Sequence, residues 1–218
     1  MTERPSVLLE DLTFPEGPRW HDGRLWFSDF YAHEVVAVDL TGKRETIVKV
    51  PGQPSGLGWT PDGRLLVVSM TDRRLLRLDP DGLQEVADLS DLAAFHCNDM
   101  VVDGEGGAYV GNFGFNSHGG DPYKAADLIR VDPDGRTSVA ATGLAFPNGA
   151  VITPDGGTLI VGETRGNILS AWDRAANGAL SNRRVWADLG GGFPDGICLD
   201  AEGAVWVADP RNKETIRV

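Results

Sequence analysis

Five short segments of this chain hold a polar side chain between a turn and a following Gly or Asp. They are Phe14-Pro15-Glu16-Gly17, Pro54-Ser55-Gly56, Cys97-Asn98-Asp99, Phe146-Pro147-Asn148-Gly149 and Phe193-Pro194-Asp195-Gly196. The variable position therefore reads Glu16, Ser55, Asn98, Asn148 and Asp195. Two carboxylates and two amides make a set of hard oxygen ligands, suited to Ca²⁺ or Mg²⁺ and tolerable to Mn²⁺ or Zn²⁺. No thiolate or imidazole cluster offers a softer alternative. Asn and Asp also favour turns in their own right, which accounts for any single segment. It accounts less well for a constant Phe-Pro and Gly around a residue that changes among Glu, Asn and Asp.

Ligands so far apart in sequence need a fold that brings them together, and the repeat supplies one. Aligned on Gly17, Gly56, Asp99, Gly149 and Gly196, the segments lie 39, 43, 50 and 47 residues apart. Each leads into an apolar strand, a tight turn and a second apolar strand, as in Leu57-Gly58-Trp59, Pro61-Asp62-Gly63 and Leu65–Ser69. Further hairpin text follows, with Leu75–Leu78, Pro80-Asp81-Gly82 and Gln84–Leu89 completing the second repeat. Such spacing of strands and turns predicts hairpins. Four antiparallel strands recurring at this period predict an all-β protein, a β-propeller of four-stranded blades with about five repeats. A β-sandwich also uses short strands, but it does not repeat the same hairpin five times. In a propeller the first strand of every blade lines a central channel, so the five variable positions converge there.

The expected organisation is a single domain over residues 1–218. Val7–Leu12 ends in Asp-Leu, as do the fourth strands of later repeats, and is read as an orphan fourth strand. It could pair with Thr215–Val218 and close a five-bladed ring. Otherwise a sixth blade is largely absent at the C-terminus, and the open sheet edge offers a route to self-association.

Composition narrows the partners. At 218 residues and 41% apolar content the chain can bury a substantial core. Its net charge of −12 is spread over turn acids with no basic patch, which argues against nucleic acid. No apolar run is long enough to span a membrane, and the Met1-Thr2-Glu3-Arg4-Pro5 start carries no apolar signal segment, so the expected setting is cytoplasmic. The two cysteines, Cys97 and Cys198, form no disulfide framework and are expected to be reduced and largely buried. The tryptophans, including Trp20, Trp26, Trp59 and Trp206, are expected to pack between blades.

Phe14-Pro15-Glu16-Gly17-Pro18-Arg19-Trp20, Cys97-Asn98-Asp99-Met100, Gly111-Asn112-Phe113-Gly114-Phe115, Phe146-Pro147-Asn148-Gly149 and Pro194-Asp195-Gly196-Ile197 together resemble the gluconolactonase, regucalcin (senescence marker protein) and lactonase-like calcium-dependent propellers. That resemblance implies a six-bladed propeller with one catalytic divalent metal in its channel. It places Glu16, Asn148 and Asp195 on metal-ligand positions, Asn98 on a position touching metal or substrate, and Asp195 on the general base. Its members continue past the position of Val218, hence the expectation of a C-terminal truncation. Where sugar-lactone members carry Arg, this chain has His96, which puts the sugar lactone itself in question.

The implied activity is metal-dependent opening of a small lactone by water. An arylesterase or organophosphate hydrolase on the same residues, or a non-catalytic calcium- or ligand-binding propeller, are the alternatives. Substrate contacts are expected from Asn98 and His96. Others are expected from Phe115, His118 and Tyr123 in the longest connection between second and third strands, residues 114–124, read as a lid over the channel mouth.

Overall fold

The computed structural model describes residues 6–117 and 119–218. They form five antiparallel sheets arranged as successive blades. Blade 1 is β1 (Pro15–His21), β2 (Arg24–Asp29), β3 (Glu34–Val38) and β4 (Arg44–Lys49). Blade 2 is β5 (Pro54–Trp59), β6 (Leu65–Ser69), β7 (Arg74–Asp79) and β8 (Gly82–Asp88). Blade 3 is β9 (Cys97–Val102), β10 (Ala108–Asn112), β11 (Ala126–Val131) and β12 (Thr137–Leu144). Blade 4 is β13 (Pro147–Ile152), β14 (Thr158–Glu163), β15 (Ile168–Arg174) and β16 (Leu180–Asp188). Blade 5 holds β17 (Ile197–Leu199), β18 (Val205–Asp209) and β19 (Glu214–Arg217).

Burial explains the strand text. Middle strands lie between neighbouring blades, so β6 and β10 are buried at every residue and read as unbroken apolar runs rather than alternating ones. Outer strands such as β4 and β16 face solvent and are mostly polar. A separate apolar cluster fills each blade junction. Trp26, Leu57 and Val67 join blades 1 and 2, while Leu75, Met100 and Val110 join blades 2 and 3. Tyr109, Leu159 and Trp172 join blades 3 and 4, and Leu169, Val205 and Val207 join blades 4 and 5.

Blades 3 and 4 also share a buried ionic knot. Asp103, 1% exposed in its side chain, accepts from Arg130 at 2.5 Å and Arg174 at 2.7 Å. Arg130 in turn lies 4.7 Å over the Tyr109 ring. Burial works against ionised Asp103, but the two guanidinium bonds and the Gly107 N–H outweigh it and hold the carboxyl below its usual range.

Three sequence expectations are corrected. Residues 7–12 form no strand; Leu9 and Leu12 instead pack on the face of blade 1 formed by Phe27, Val36 and Val38, an apolar surface that no blade covers among the described residues. Trp20 and Trp206 are 59% and 40% exposed rather than wedged between blades, because their strands alternate and these positions point away from the junctions. Cys198 is exposed for the same reason, on the uncovered face of β17, whereas Cys97 is buried in the junction of blades 2 and 3. Burial pushes the Cys97 thiol up to about 12, which keeps it an inert core group.

Candidate active site

Inner strands β1, β5, β9, β13 and β17 neighbour one another in chain order around the channel. At the first four, pairing with the second strand slips at the variable residue: between Glu16 and Arg19, Pro54 and Leu57, Cys97 and Met100, and Pro147 and Ala150. A bulge breaks the alternation of a strand and re-aims a side chain, which turns Glu16, Asn98 and Asn148 into the channel mouth. In blade 5 the Asp195 N–H donates to the Ala208 carbonyl at 3.0 Å, just before β17 begins.

The Gly after the anchor has a steric cause at two blades. A Cβ on Gly56 would sit 2.4 Å from the Met100 nitrogen, and one on Gly149 would sit 2.5 Å from both the Asp195 oxygen and the Ile197 nitrogen. Adjacent inner strands approach backbone to backbone there. The Gly149 N–H donates to the Asp195 carbonyl at 2.9 Å, a direct tie between two anchors.

Buried acids at the ends of second strands hold the loops that lead into the anchors. Asp29 accepts from the Thr13 and Phe14 N–H groups at 3.0 and 2.8 Å, Glu163 from Ala145 at 2.7 Å, and Asp209 from Phe193 at 2.9 Å. Burial disfavours ionised Asp29, yet the hydroxyl and N–H bonds from Thr13 and the Phe14 N–H win and lower its pKa. Each repeat ends its second apolar strand on such a polar residue, a signal the sequence reading passed over.

Glu16, His96, Asn98, Asn148 and Asp195 line one cavity of about 430 Å³, together with Phe14, Phe30, Tyr31, Gln53, Met70, Phe113 and Phe146. Ser55, at the fifth variable position, is buried outside this lining and accepts from the Ser28 hydroxyl through its carbonyl at 2.6 Å. Phe115 and Tyr123 do not line the cavity. They meet edge to face at 5.6 Å, with Phe115 buried under the Arg165 guanidinium and Tyr123 55% exposed. His118 lies outside the described residues.

Two acids share the floor without a cationic side chain in the lining. Burial, and next the Asp195 charge, raise Glu16 from 4.5 to about 7 against the pull of the Gly17 N–H. Asp195 is also raised by burial, opposed by a hydrogen bond from Asn148. Asn148 Nδ2 also donates to Thr164 Oγ1 at 3.3 Å, and Thr164 donates to the Pro194 carbonyl at 2.6 Å. Asn98 Nδ2 donates to the Pro147 carbonyl at 3.2 Å, which leaves its Oδ1 for a ligand. This donor set fits a divalent cation. Its atoms are all oxygen, and positive charge would relieve two desolvated carboxylates. No group of three or more His, Cys, Asp or Glu side chains assembles among the described residues, so amides would have to complete the shell.

Sequence reasoning missed Asp99 and Arg19 as a pair. Arg19 spans the channel from blade 1 to blade 3, donating to Asp99 Oδ1 at 2.7 Å and to the Met100 carbonyl at 3.0 Å. The visible signal was that Asp99 stands where the other four repeats have Gly.

Residues 14–218 match the family model described as the SMP-30/Gluconolactonase/LRE-like region. Among curated proteins, the chain is 29% identical over 200 residues to a pentonolactonase of Haloferax volcanii, covering 88% of this chain and 65% of that protein. It is 26% identical over 239 residues to a gluconolactonase of Zymomonas mobilis, covering 94% and 67%. The chain thus spans about two thirds of the length of these relatives. Of solved structures, a Xanthomonas campestris gluconolactonase superposes with a TM-score of 0.76 at 27% identity, over 93% of this chain and 72% of that one. A calcium-binding regucalcin of Agrobacterium tumefaciens gives 0.80 at 25%, over 94% and 70%.

Proposed function

From a chain that belongs to the SMP-30/gluconolactonase/LRE-like family, we propose a divalent-metal-dependent hydrolase that opens a lactone ring with water. The observation that carries the reading is the meeting of Glu16, Asn98, Asn148 and Asp195, from four different blades, in one cavity. These four residues would hold the cation, with Ca²⁺ the first choice because regucalcin, its structural neighbour, is described as calcium-binding. When bound, the cation supplies Lewis-acid polarisation of the lactone carbonyl. Asp195 takes a proton from water as the water oxygen adds to the carbonyl carbon. That proton then passes to the ring oxygen as its bond to the carbonyl carbon breaks, and the product is a hydroxy acid. Asn148 fixes the Asp195 carboxylate through its amide N–H, and Thr164 anchors Asn148 in turn.

The test is hydrolysis of a panel of small lactones with Ca²⁺, Mn²⁺, Zn²⁺ or Mg²⁺ added, and with chelator, for the wild type and Asp195→Asn. Turnover that needs metal and falls at least about 100-fold in the variant supports the reading. Metal binding by calorimetry without turnover of any lactone would replace the enzyme by a binding propeller.

A further inference from the structure

The cavity above the four floor residues is walled by aromatic rings rather than by polar groups. On one side Phe14 stacks on Phe30 at 5.6 Å and meets Tyr31 edge to face at 5.7 Å. Phe14 and Tyr31 stay 45% and 65% exposed. Elsewhere in the same lining Phe113 stacks on Phe146 at 4.7 Å. Large exposed rings gathered at a cavity mouth are unfavourable in water and mark a surface that something apolar covers.

Of the nine non-glycine residues with left-handed backbone among the described residues, two lie in this lining. Phe146 has φ +66° and Gln53 has φ +65°, each immediately before the Pro of its anchor. A bulky side chain in the left-handed region is a steric outlier that persists where the surrounding fold enforces it, commonly at ligand sites. Both residues line this cavity.

We infer that the substrate is a lactone bearing an apolar, preferably aryl, substituent rather than a polyhydroxylated sugar lactone. This rests on the lactone-hydrolase reading and names its substrate class. A sugar lactone buries several hydroxyls, and each needs a partner when it leaves water. Outside the floor, the polar side chains of the described lining are Gln53, His96 and the rim hydroxyl of Tyr31. A phenyl group asks for no hydrogen bonds and gains stacking on rings already positioned. The cavity of about 430 Å³ has room for a lactone ring and one such substituent.

Three lactones with the same ring size separate the alternatives: δ-valerolactone, its phenyl-substituted derivative and D-glucono-δ-lactone, each assayed with the metal-saturated chain. The phenyl derivative is expected to exceed the bare ring in kcat/KM by about tenfold or more, with the gluconolactone no better than the bare ring. Phe113→Ala, and separately Tyr31→Ser at the exposed rim, should lower kcat/KM for the phenyl derivative by a larger factor than for the bare ring. Preference for the gluconolactone, or variants that depress all three lactones equally, would overturn the inference.

If no lactone is turned over, the hydrolase reading fails and a binding arm still decides the pocket's preference. Calorimetry then compares a phenyl-substituted tetrahydropyran with anhydroglucitol, cyclic ethers that cannot be hydrolysed. Tighter binding of the phenyl ether, weakened by Phe113→Ala, upholds an aryl-selective pocket. Tighter binding of the polyol, or equal binding of both, refutes it.

Discussion

Replacing Gly149 by Ala tests whether close backbone approach sets the position of Asp195. The added Cβ would lie 2.5 Å from the Asp195 oxygen and the Ile197 nitrogen and 2.9 Å from the Gly196 carbon. Ordinary contact begins near 3.4 Å, so β13 and the Asp195 segment must separate by about 0.9 Å, the difference of 3.4 and 2.5. Backbone cannot swing aside as a side-chain tip can, and overpacking of this kind costs about 1–3 kcal/mol. A displacement near 1 Å of the proposed base should also lower kcat by about 100-fold. Gly196→Ala is the control, since its Cβ would meet nothing within 4 Å and its φ is outside the left-handed range. That variant should be neutral or gain about 0.4–1 kcal/mol from reduced freedom of the unfolded chain. Urea unfolding and lactone hydrolysis would be measured on both variants side by side. Equal stability and equal turnover for the two would refute the claim that the Gly149 contact holds the site.

Two further perturbations address charge. For the metal-free protein, Glu16 at about 7 when folded against 4.5 when free means that folding binds a proton between those values. Stability should therefore fall as pH rises through that window, by up to about 3 kcal/mol at 1.36 kcal/mol per tenfold. With chelator present, Glu16→Gln should match the wild type near pH 4 and exceed it at pH 8. Ca²⁺ should reverse that order by stabilising only the wild type. A wild-type stability that does not fall between pH 5 and 8 with chelator would count against this. In the ionic knot, Asp103→Ala leaves Arg130 and Arg174 buried without their shared carboxylate and should cost about 3–5 kcal/mol in urea unfolding. Asp134→Ala removes an exposed pair with Arg136 at 3.4 Å and should stay within about 0.5 kcal/mol. A similar loss for both would show that the knot adds nothing special.

The blade pattern was legible because two repeating demands wrote it into the chain: buried middle strands need unbroken apolar runs, and tight hairpins need Asp-Gly or similar turns. The floor was legible for a related reason. Glu16, Asn98, Asn148 and Asp195 occupy one position of the repeat, and circular stacking brings these four together while Ser55, the fifth, stays outside the lining. What had no repeat could not be read in this way. The segment at residues 7–12 borrowed the composition of a fourth strand, but among the described residues no strand pairs with it, and Leu9 and Leu12 go to the apolar face of blade 1. Trp20 and Trp206 were assigned by residue type, whereas strand alternation decides their facing.

The aromatic walls illustrate the same limit within the site. Phe14, Phe113 and Phe146 were visible as motif text beside the anchors, yet Phe30, Tyr31 and Met70 come from the strand ends and turns facing them. Only the fold juxtaposes these groups, and a one-dimensional reading has no period that links them. The division has a chemical consequence. The proposed ligand positions are set by the repeat and its bulges, whichever residue each repeat carries there. Of the rings, Phe14 and Phe146 belong to the anchor motif itself, whereas Phe30 and Tyr31 come from the turn after β2. In the proposed reaction the Glu-Asn-Asn-Asp floor fixes which bond is broken, and the rings around it decide which molecule is brought there.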